Sequence, residues 1–433
     1  MTSIEDLYQI YLKHPVICTD TRKITADCLF FALKGDNFNG NDFAEQALSS
    51  GAAYAVVDEG RAADSERMLR VENVLETLQL LALHHRRQFT IPFIGITGTN
   101  GKTTTKELIY SVLSKKFKTH ATQGNLNNHI GVPLTLLSIA SDTEMAIIEM
   151  GANHQKEIEL LCRIAEPTHG LITNVGKAHL EGFGGFEGVK KAKGELYDYL
   201  KKSEGTAFIN CENPWLMEMA QNRSLSNVKY YGSSADCLVR GSLTRNDPFL
   251  TLQWEYDKGV SQVKSQLTGA YNLENILAAI TIGVYFELSA AEINAGVSEY
   301  YPKNNRSQLS KTDYNTLICD YYNANPSSMA AALDNFAAVT AENKALILGD
   351  MFELGTDAAA EHKEVLQKIK NLKINRCIFI GSEFYRFREE FEGIFFKTTD
   401  EAASYLQSEP IRNTAILIKG SRGMRLEKLA DLL

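Results

Sequence analysis

The succession of strand, glycine loop and helix between residues 91 and 113 constrains this chain more than any other feature. Ile91-Pro-Phe-Ile-Gly-Ile-Thr97 is an apolar run that reads as a buried strand. Gly98-Thr-Asn-Gly-Lys-Thr-Thr104 follows as a glycine-rich loop, and Lys106-Glu-Leu-Ile-Tyr-Ser-Val-Leu113 continues as a helix. Phosphate binding needs this order. Glycines let successive backbone N–H groups face one centre, and the helix N-terminus adds its partial positive charge. Lys102 is placed to reach the outer phosphates of a nucleotide, and the Thr103 hydroxyl to ligate Mg²⁺. The strict spacing G-x-x-x-x-G-K-[ST] is not met, because its first position falls on Ile96, between Gly95 and Gly98. An ordinary glycine-rich turn is the alternative; the strand before the loop and the helix after it argue against that.

Further apolar runs alternate with helical patterns, the signature of parallel sheets with crossover helices. Ala146-Ile-Ile-Glu-Met150, Gly170-Leu-Ile-Thr-Asn-Val175 and Thr206-Ala-Phe-Ile-Asn210 extend the central unit. The stretch 225–268 alternates polar and apolar residues, as in Leu250-Thr-Leu-Gln-Trp254, and predicts an antiparallel insertion. A second doubly wound unit is expected after Tyr301-Pro-Lys303. Its strands fall at 316–320, 344–348, 376–380 and 415–419, and its helices at about 326–341, 357–371 and 383–391. Before the phosphate loop, Cys28-Leu-Phe-Phe-Ala-Leu33 and Ala52-Ala-Tyr-Ala-Val-Val57 predict strands of a small α/β unit, closed by a helix over 71–87. The His84-His-Arg-Arg87 end of that helix reads as a solvated terminus. The expected organisation is α/β in three domains: 1–87, a small N-terminal α/β unit; 88–302, a central P-loop parallel sheet; and 303–433, a Rossmann-like unit. The length of 433 residues suits three domains.

A formal charge of -8 offers no basic stripe to release counterions from a polynucleotide, so no nucleic acid is expected as a partner. No run approaches the length of a membrane span, and Met-Thr-Ser-Ile-Glu-Asp lacks the features of a secretory leader, so a cytoplasmic protein is expected. The seven cysteines are scattered singly, without a Cys-x-x-Cys, and read as reduced thiols that mostly pack.

Other strand ends should converge on the crevice at the phosphate loop. Glu149 ends a strand, His179 follows one across a short turn, and Lys193 lies on a helical stretch over 187–201. A Mg²⁺ site wants a carboxylate and the threonine hydroxyl; an imidazole is a less usual ligand for so hard an ion. Alone, Glu149 could be a salt-bridging carboxylate and His179 a satisfied loop histidine. The phosphate loop upstream is what makes both candidates.

With these segments in view, the chain resembles the Mur ligases of bacterial peptidoglycan synthesis. Gly98–Thr104 is similar to the family's ATP loop, which departs from the strict spacing in the same way. Glu149-Met-Gly151, Asn174-Val-Gly-Lys-Ala-His-Leu180 and Ala192-Lys-Gly-Glu195 are similar to its metal segments, and Tyr271-Asn-Leu-Glu-Asn275 to its nucleotide-base segment. Asp320-Tyr-Tyr-Asn-Ala-Asn-Pro326, Leu348-Gly-Asp-Met-Phe-Glu-Leu-Gly355 and Lys419-Gly-Ser-Arg-Gly-Met-Arg425 resemble the branch that adds a dipeptide. Thr19-Asp-Thr-Arg22 and Leu29-Phe-Phe-Ala-Leu-Lys-Gly35 resemble the domain that holds a UDP-sugar. Two positions depart from the pattern: Asp320-Tyr-Tyr322 replaces the usual Asp-Ser-Tyr, and Asn305 stands where a glycine commonly precedes the arginine.

The resemblance implies an ATP-dependent amide ligase that is monomeric, requires Mg²⁺ as two ions, and joins D-Ala-D-Ala to UDP-MurNAc-tripeptide. It implies catalytic roles for Lys102, Glu149, His179 and Lys193. It implies ATP contacts from Gly98, Thr99, Asn100, Gly101, Lys102, Thr103, Thr104, Asn272, Asn275, Arg306 and Asp320, with the two asparagines near the adenine. Substrate contacts are implied for Thr21, Arg22 and Lys34 in the first unit, for Asn127 and Asn128 in a Gly/Asn loop, and for Asn323 and Asn325. The metal set is Thr103, Glu149, His179 and Lys193, the last as a carbamate that would supply two further oxygens. An unmodified Lys193 paired with Glu195, the substrate carboxylate or a phosphate is the alternative. Two other readings stay open at this point: another amide ligase of the superfamily, such as a folylpolyglutamate synthase or an amino-acid-adding Mur ligase, and a nucleotide-binding scaffold with a degenerate site. The UDP-like first unit weighs against the folate enzyme, and the intact candidate set against the scaffold.

Overall fold

The computed structural model describes residues 1–59, 66–303 and 305–433. The chain forms three successive α/β layers. The first holds four parallel strands, Ile17–Cys18, Leu29–Phe31, Tyr54–Val57 and Met68–Arg70, in that spatial order. Helices Ile4–Lys13 and Val74–Arg86 cover one face. Ser3 and Asn73 start these helices by accepting the backbone N–H groups of Asp6 and Glu76. The residues of this face, Leu7, Tyr11, Leu78 and Leu81 among them, share one continuous core with Leu136, Ile148 and Ile158 of the central layer.

That continuity corrects the expectation for 84–87. His85 and Arg86 are each only 7% exposed. Arg86 donates to the carbonyls of Ala165, Glu166 and Phe89, and its guanidinium lies 3.6 Å over the Phe93 ring. His85 meets the hydroxyl of Tyr8 at 3.1 Å. The basic run therefore pins the first layer to the second. The bland reading failed because a planar guanidinium with an apolar stem can be buried where carbonyls satisfy it.

The central sheet has nine strands, with Phe93–Thr97 between His169–Ile172 and Met145–Glu149. The chain leaves Phe93–Thr97 toward one edge and returns on its other side. The loop at its carboxyl end therefore opens into the crevice that such a reversal creates. The expected insertion at 225–268 is instead the continuation of this sheet. Val228–Gly232 pairs parallel with Thr206–Asn210, and Val239–Asn246, Leu250–Tyr256 and Gly259–Lys264 then run antiparallel to one another. The alternation itself was correctly read. Leu250, Leu252 and Trp254 are fully buried in the core that helix Asn272–Tyr285 shares.

The third sheet has six strands in the spatial order Gln308–Lys311, Thr316–Asp320, Ala415–Lys419, Lys344–Gly349, Arg376–Ile380 and Ile394–Phe396, antiparallel only at the first pair. Helices Pro326–Ala338 and Ala358–Lys370 stand where expected, whereas the one expected over 383–391 is the short Ser382–Tyr385. No helix among the described residues is long and apolar enough to cross a membrane.

Candidate active site

The phosphate loop is held by its neighbours rather than by its own turns. Gly98 and Gly101 have φ of 144° and 78°, which favour glycine. A Cβ on Gly98 would meet the Thr173 hydroxyl at 2.0 Å, and one on Gly101 would meet Asn275 Oδ1 at 2.7 Å. The strand-end residue Asn174 accepts the Asn100 N–H at 2.9 Å and its carbonyl accepts that of Thr99 at 3.0 Å. Thr105 donates to Asn275 Oδ1 at 2.9 Å, and Asn275 in turn donates to Asn272 Oδ1 at 2.8 Å. Asn272 and Asn275, expected beside an adenine, are thus buried braces of the loop that also face the cavity.

Lys102 opens helix Lys102–Leu113 and folds back on its loop, donating to the carbonyls of Gly98 at 2.7 Å and Thr99 at 3.1 Å. Burial pushes its ammonium down to about 8, against the pull of Glu149. Thr103 donates to Glu149 Oε1 at 3.2 Å, and Asn127 donates to the same oxygen at 2.9 Å. Glu149 Oε2 is buried with no hydrogen-bond partner among the described residues, with the buried Lys106 ammonium 3.8 Å away. A carboxylate oxygen left unpaired in the interior, beside a threonine hydroxyl, is a donor set that fits a hard divalent cation.

The other two members of the expected metal set hold other partners. His179 (φ 49°) pairs through Nδ1 with Glu353 of the third layer. Lys193 is 2% exposed and does not line the cavity; its Nζ donates to the Ala152 carbonyl at 3.4 Å and sits 5.1 Å over Phe183. Burial, reinforced by Lys102, holds its ammonium well below the ordinary lysine range. Glu195, expected as the partner of an unmodified Lys193, instead accepts the N–H groups of Lys156 and Glu159 at the start of helix Glu157–Ala165. Among the described residues no three His, Cys, Asp or Glu side chains cluster as a ready metal site.

The third layer supplies the opposite wall. Asp320 and Lys419 are register partners in adjacent parallel strands, with Nζ 2.6 Å from Oδ2. Asp320 Oδ1 accepts the Ser307 N–H at 3.1 Å. The Arg306 guanidinium stacks 3.8 Å from the Tyr322 ring centre, with Nε buried and without a hydrogen-bond partner among the described residues. Loop Asn100, central Asn127 and Asn128, and Asn323 and Asn325 of the third layer line the same cavity of about 750 Å³, together with Thr99, Gly101 to Thr104, Glu149, His179, Arg306, Asp320 and Lys419.

Gly98, Thr21, Arg22 and Lys34 are not among the residues that line the cavity. Arg22 is clasped by Asp20 at 2.8 Å, and Lys34 by Asp58 at 3.1 Å and Glu59 at 2.6 Å. Sequence reading missed Lys419, Tyr322 and Glu353 as individual site residues. Lys419 looked like the polar end of an apolar strand, and only the strand register puts it on Asp320.

A phosphate loop whose lysine and threonine face a buried glutamate, walled on the far side by a second α/β sheet carrying an arginine and an Asp–Lys pair, defines an enzyme that uses a nucleoside triphosphate. Family models agree along the chain: the Mur ligase family catalytic domain matches residues 15–86, the Mur ligase middle domain 96–283, and the Mur ligase glutamate ligase domain 305–422. The chain belongs to the Mur ligase family. It is 33% identical over 432 residues to the UDP-N-acetylmuramoyl-tripeptide–D-alanyl-D-alanine ligase of Bacillus subtilis, covering 95% of this chain and 92% of that one. The enzyme of the same name from Synechocystis is 37% identical over 370 residues, covering 85% and 79%. Among solved structures, MurF from Acinetobacter baumannii superposes with a TM-score of 0.88 at 30% identity, covering 96% of this chain and 92% of that one. The fold is also that of MurF ligase from Thermotoga maritima, solved with ADP, at a TM-score of 0.85 and 24% identity over 97% of each chain.

Proposed function

We propose that this chain is the ATP-dependent ligase that joins D-alanyl-D-alanine to UDP-N-acetylmuramoyl-tripeptide through an acyl phosphate, in peptidoglycan synthesis. One observation carries the reading: the phosphate loop, Glu149 and the Arg306–Asp320–Lys419 wall face one cavity, in a chain whose relatives match it along nearly its whole length. A carboxylate is a poor electrophile until a phosphoryl group makes one of its oxygens a leaving group. Phosphoryl transfer spreads charge over the γ-phosphate oxygens, and Lys102 is the cation positioned to neutralise it. The N–H groups at the start of helix Lys102–Leu113 hold the inner phosphates. Mg²⁺, when bound, supplies further charge neutralisation; Thr103 and the unpaired Glu149 Oε2 would hold it. Arg306 offers a planar fork for a phosphate or the substrate carboxylate, and Asp320, fixed by Lys419, suits ribose hydroxyls. The amine of the dipeptide then attacks the acyl carbon, and phosphate leaves.

Residues 1–87 are assigned to the UDP-sugar, 88–302 to ATP and 303–433 to the dipeptide and closure of the site. Arg22 and Lys34 rest on carboxylates that a diphosphate would displace, which supports their assignment with Thr21. Asn127, Asn128, Asn323 and Asn325 face the cavity and are assigned to the peptide end. The chain is assigned as a monomer, and nucleotide-linked substrates of this kind are used in the cytoplasm.

The test is phosphate release with ATP and UDP-MurNAc-tripeptide, with and without D-Ala-D-Ala, and with Lys102→Ala as control. Release is expected only with all three substrates and should fall by several orders of magnitude in the variant. Release with folate and glutamate in their place would overturn the assignment.

A further inference from the structure

We propose that Cys211 and Cys237 form a modification site: a dithiol that a hydroperoxide converts to an intramolecular disulfide and that a thiol reductant reopens. They lie 26 positions apart in sequence, and the sheet brings them together with their sulfurs 2.9 Å apart. Non-bonded carbon atoms, which are smaller than sulfur, already rest at about 3.5–4.0 Å. The backbone fixes both residues. Cys211 follows strand Thr206–Asn210 and donates its N–H to the Tyr231 carbonyl at 2.9 Å; Cys237 donates to the Ser234 carbonyl at 3.1 Å in the turn before strand Val239–Asn246. Gly232 keeps the space open, because a Cβ there would meet Cys211 Sγ at 2.6 Å. Cys18, Cys28, Cys162 and Cys319 are buried, whereas Cys211, Cys237 and Cys377 are half-buried and within reach of a small oxidant, and the sulfurs of the first two lie together.

The chemistry balances with hydrogen peroxide as the co-reactant. The Cys211 thiolate attacks one peroxide oxygen, the O–O bond breaks, and hydroxide leaves with the proton that the thiol gave up, as water. The Cys237 sulfur then attacks the resulting sulfenic sulfur, the S–O bond breaks, and a second water leaves carrying the Cys237 proton. Two thiols lose two electrons and one peroxide gains them. Burial, reinforced by Cys211, pushes the Cys237 thiol up to about 12. Two residues beyond Cys211, Asn213 lines the cavity and caps helix Pro214–Arg223, so the bond would tie down the turn that presents it.

The experiment treats the full chain with hydrogen peroxide and maps it by mass spectrometry without reduction. The expected product is a single 211–237 cross-linked peptide pair, two hydrogens lighter than its parts, that dithiothreitol separates. The denatured thiol count should fall by two from seven. The midpoint of thermal unfolding should rise by several degrees in the oxidised protein and stay unchanged in Cys237→Ser, in which a dimedone adduct should appear on Cys211. Full alkylation of both residues after peroxide, or a bond from either to another cysteine, would overturn the proposal.

Discussion

Asn325 donates from Nδ2 to Asn100 Oδ1 at 2.8 Å, joining the start of a helix in the third layer to the tip of the phosphate loop in the second. The same side chain caps its own helix, its Oδ1 accepting the Ser328 N–H at 2.9 Å. One residue thus terminates a helix and reads the loop across the seam. Lys177 repeats the link nearby, its Nζ 2.7 Å from Glu361.

The two duties can be separated. Serine caps a helix about as well as asparagine but cannot reach Asn100. Asn325→Ser should keep stability within about 0.5 kcal/mol of the parent while raising the KM for ATP severalfold; Asn325→Ala should lose the cap as well, at a cost of about 1 kcal/mol. Steady-state kinetics and denaturation midpoints check both. A parental KM in Asn325→Ser would show that the seam bond does not shape the ATP site.

The junction at Arg86 is open to a similar test. Arg86→Met keeps an apolar stem but takes the guanidinium away from Phe93 and strands three carbonyls. The loss should be about 2–4 kcal/mol, read as a lower urea midpoint, and Arg86→Lys should recover little because an ammonium lacks the fork. A change within about 0.5 kcal/mol would restore the picture of a solvated helix end.

How much of this was legible in the sequence follows from where the determining contacts lie. The phosphate loop could be read because its cause is local: glycines, a lysine and a helix start within one short segment. Four strands of the third sheet could be read because they are unbroken apolar runs, whereas the largely polar Gln308–Lys311 and the three-residue Ile394–Phe396 were not read. The Asp320–Lys419 pair was hidden, since 99 positions separate its members and only strand register joins them. Arg86 and His85 misled for the opposite reason. Charge near a helix end looks solvated until a second layer packs on it. Of the expected metal set, Thr103 and Glu149 meet, while His179 turns to a carboxylate in another layer.

His169 gives a pH signature. It stands among Phe208, Tyr285 and Phe286, and burial pushes its imidazole down to about 4. An unfolded histidine titrates near about 6.5. Between those values the unfolded chain binds the extra proton, so stability is full above pH 6.5 and declines as pH falls toward 4. His169→Gln should remove about 1–2 kcal/mol of the loss between pH 6.5 and 5, seen as a shallower fall of the denaturation midpoint. Parallel slopes in the two proteins would contradict this.

Lys193 tests the modification that the family resemblance implies. A buried amine held well below its ordinary range is neutral enough to add CO₂, and the carbamate would bring oxygens to a site otherwise limited to Thr103 and Glu149. Lys193→Ala should lose activity with or without the modification, so mutation alone does not decide. Protein held in ¹³C-bicarbonate should show a carbamate carbonyl resonance that Lys193→Ala lacks; an identical spectrum from both proteins would exclude it.

The central claim is that ATP activates a carboxylate before the amine attacks. UDP-MurNAc-tripeptide carrying ¹⁸O in its terminal carboxylate, incubated with ATP and D-Ala-D-Ala, puts that claim to the most direct test. The acyl-phosphate route predicts that the released inorganic phosphate carries one ¹⁸O for each amide bond formed. Amide product accompanied by unlabelled phosphate would contradict it.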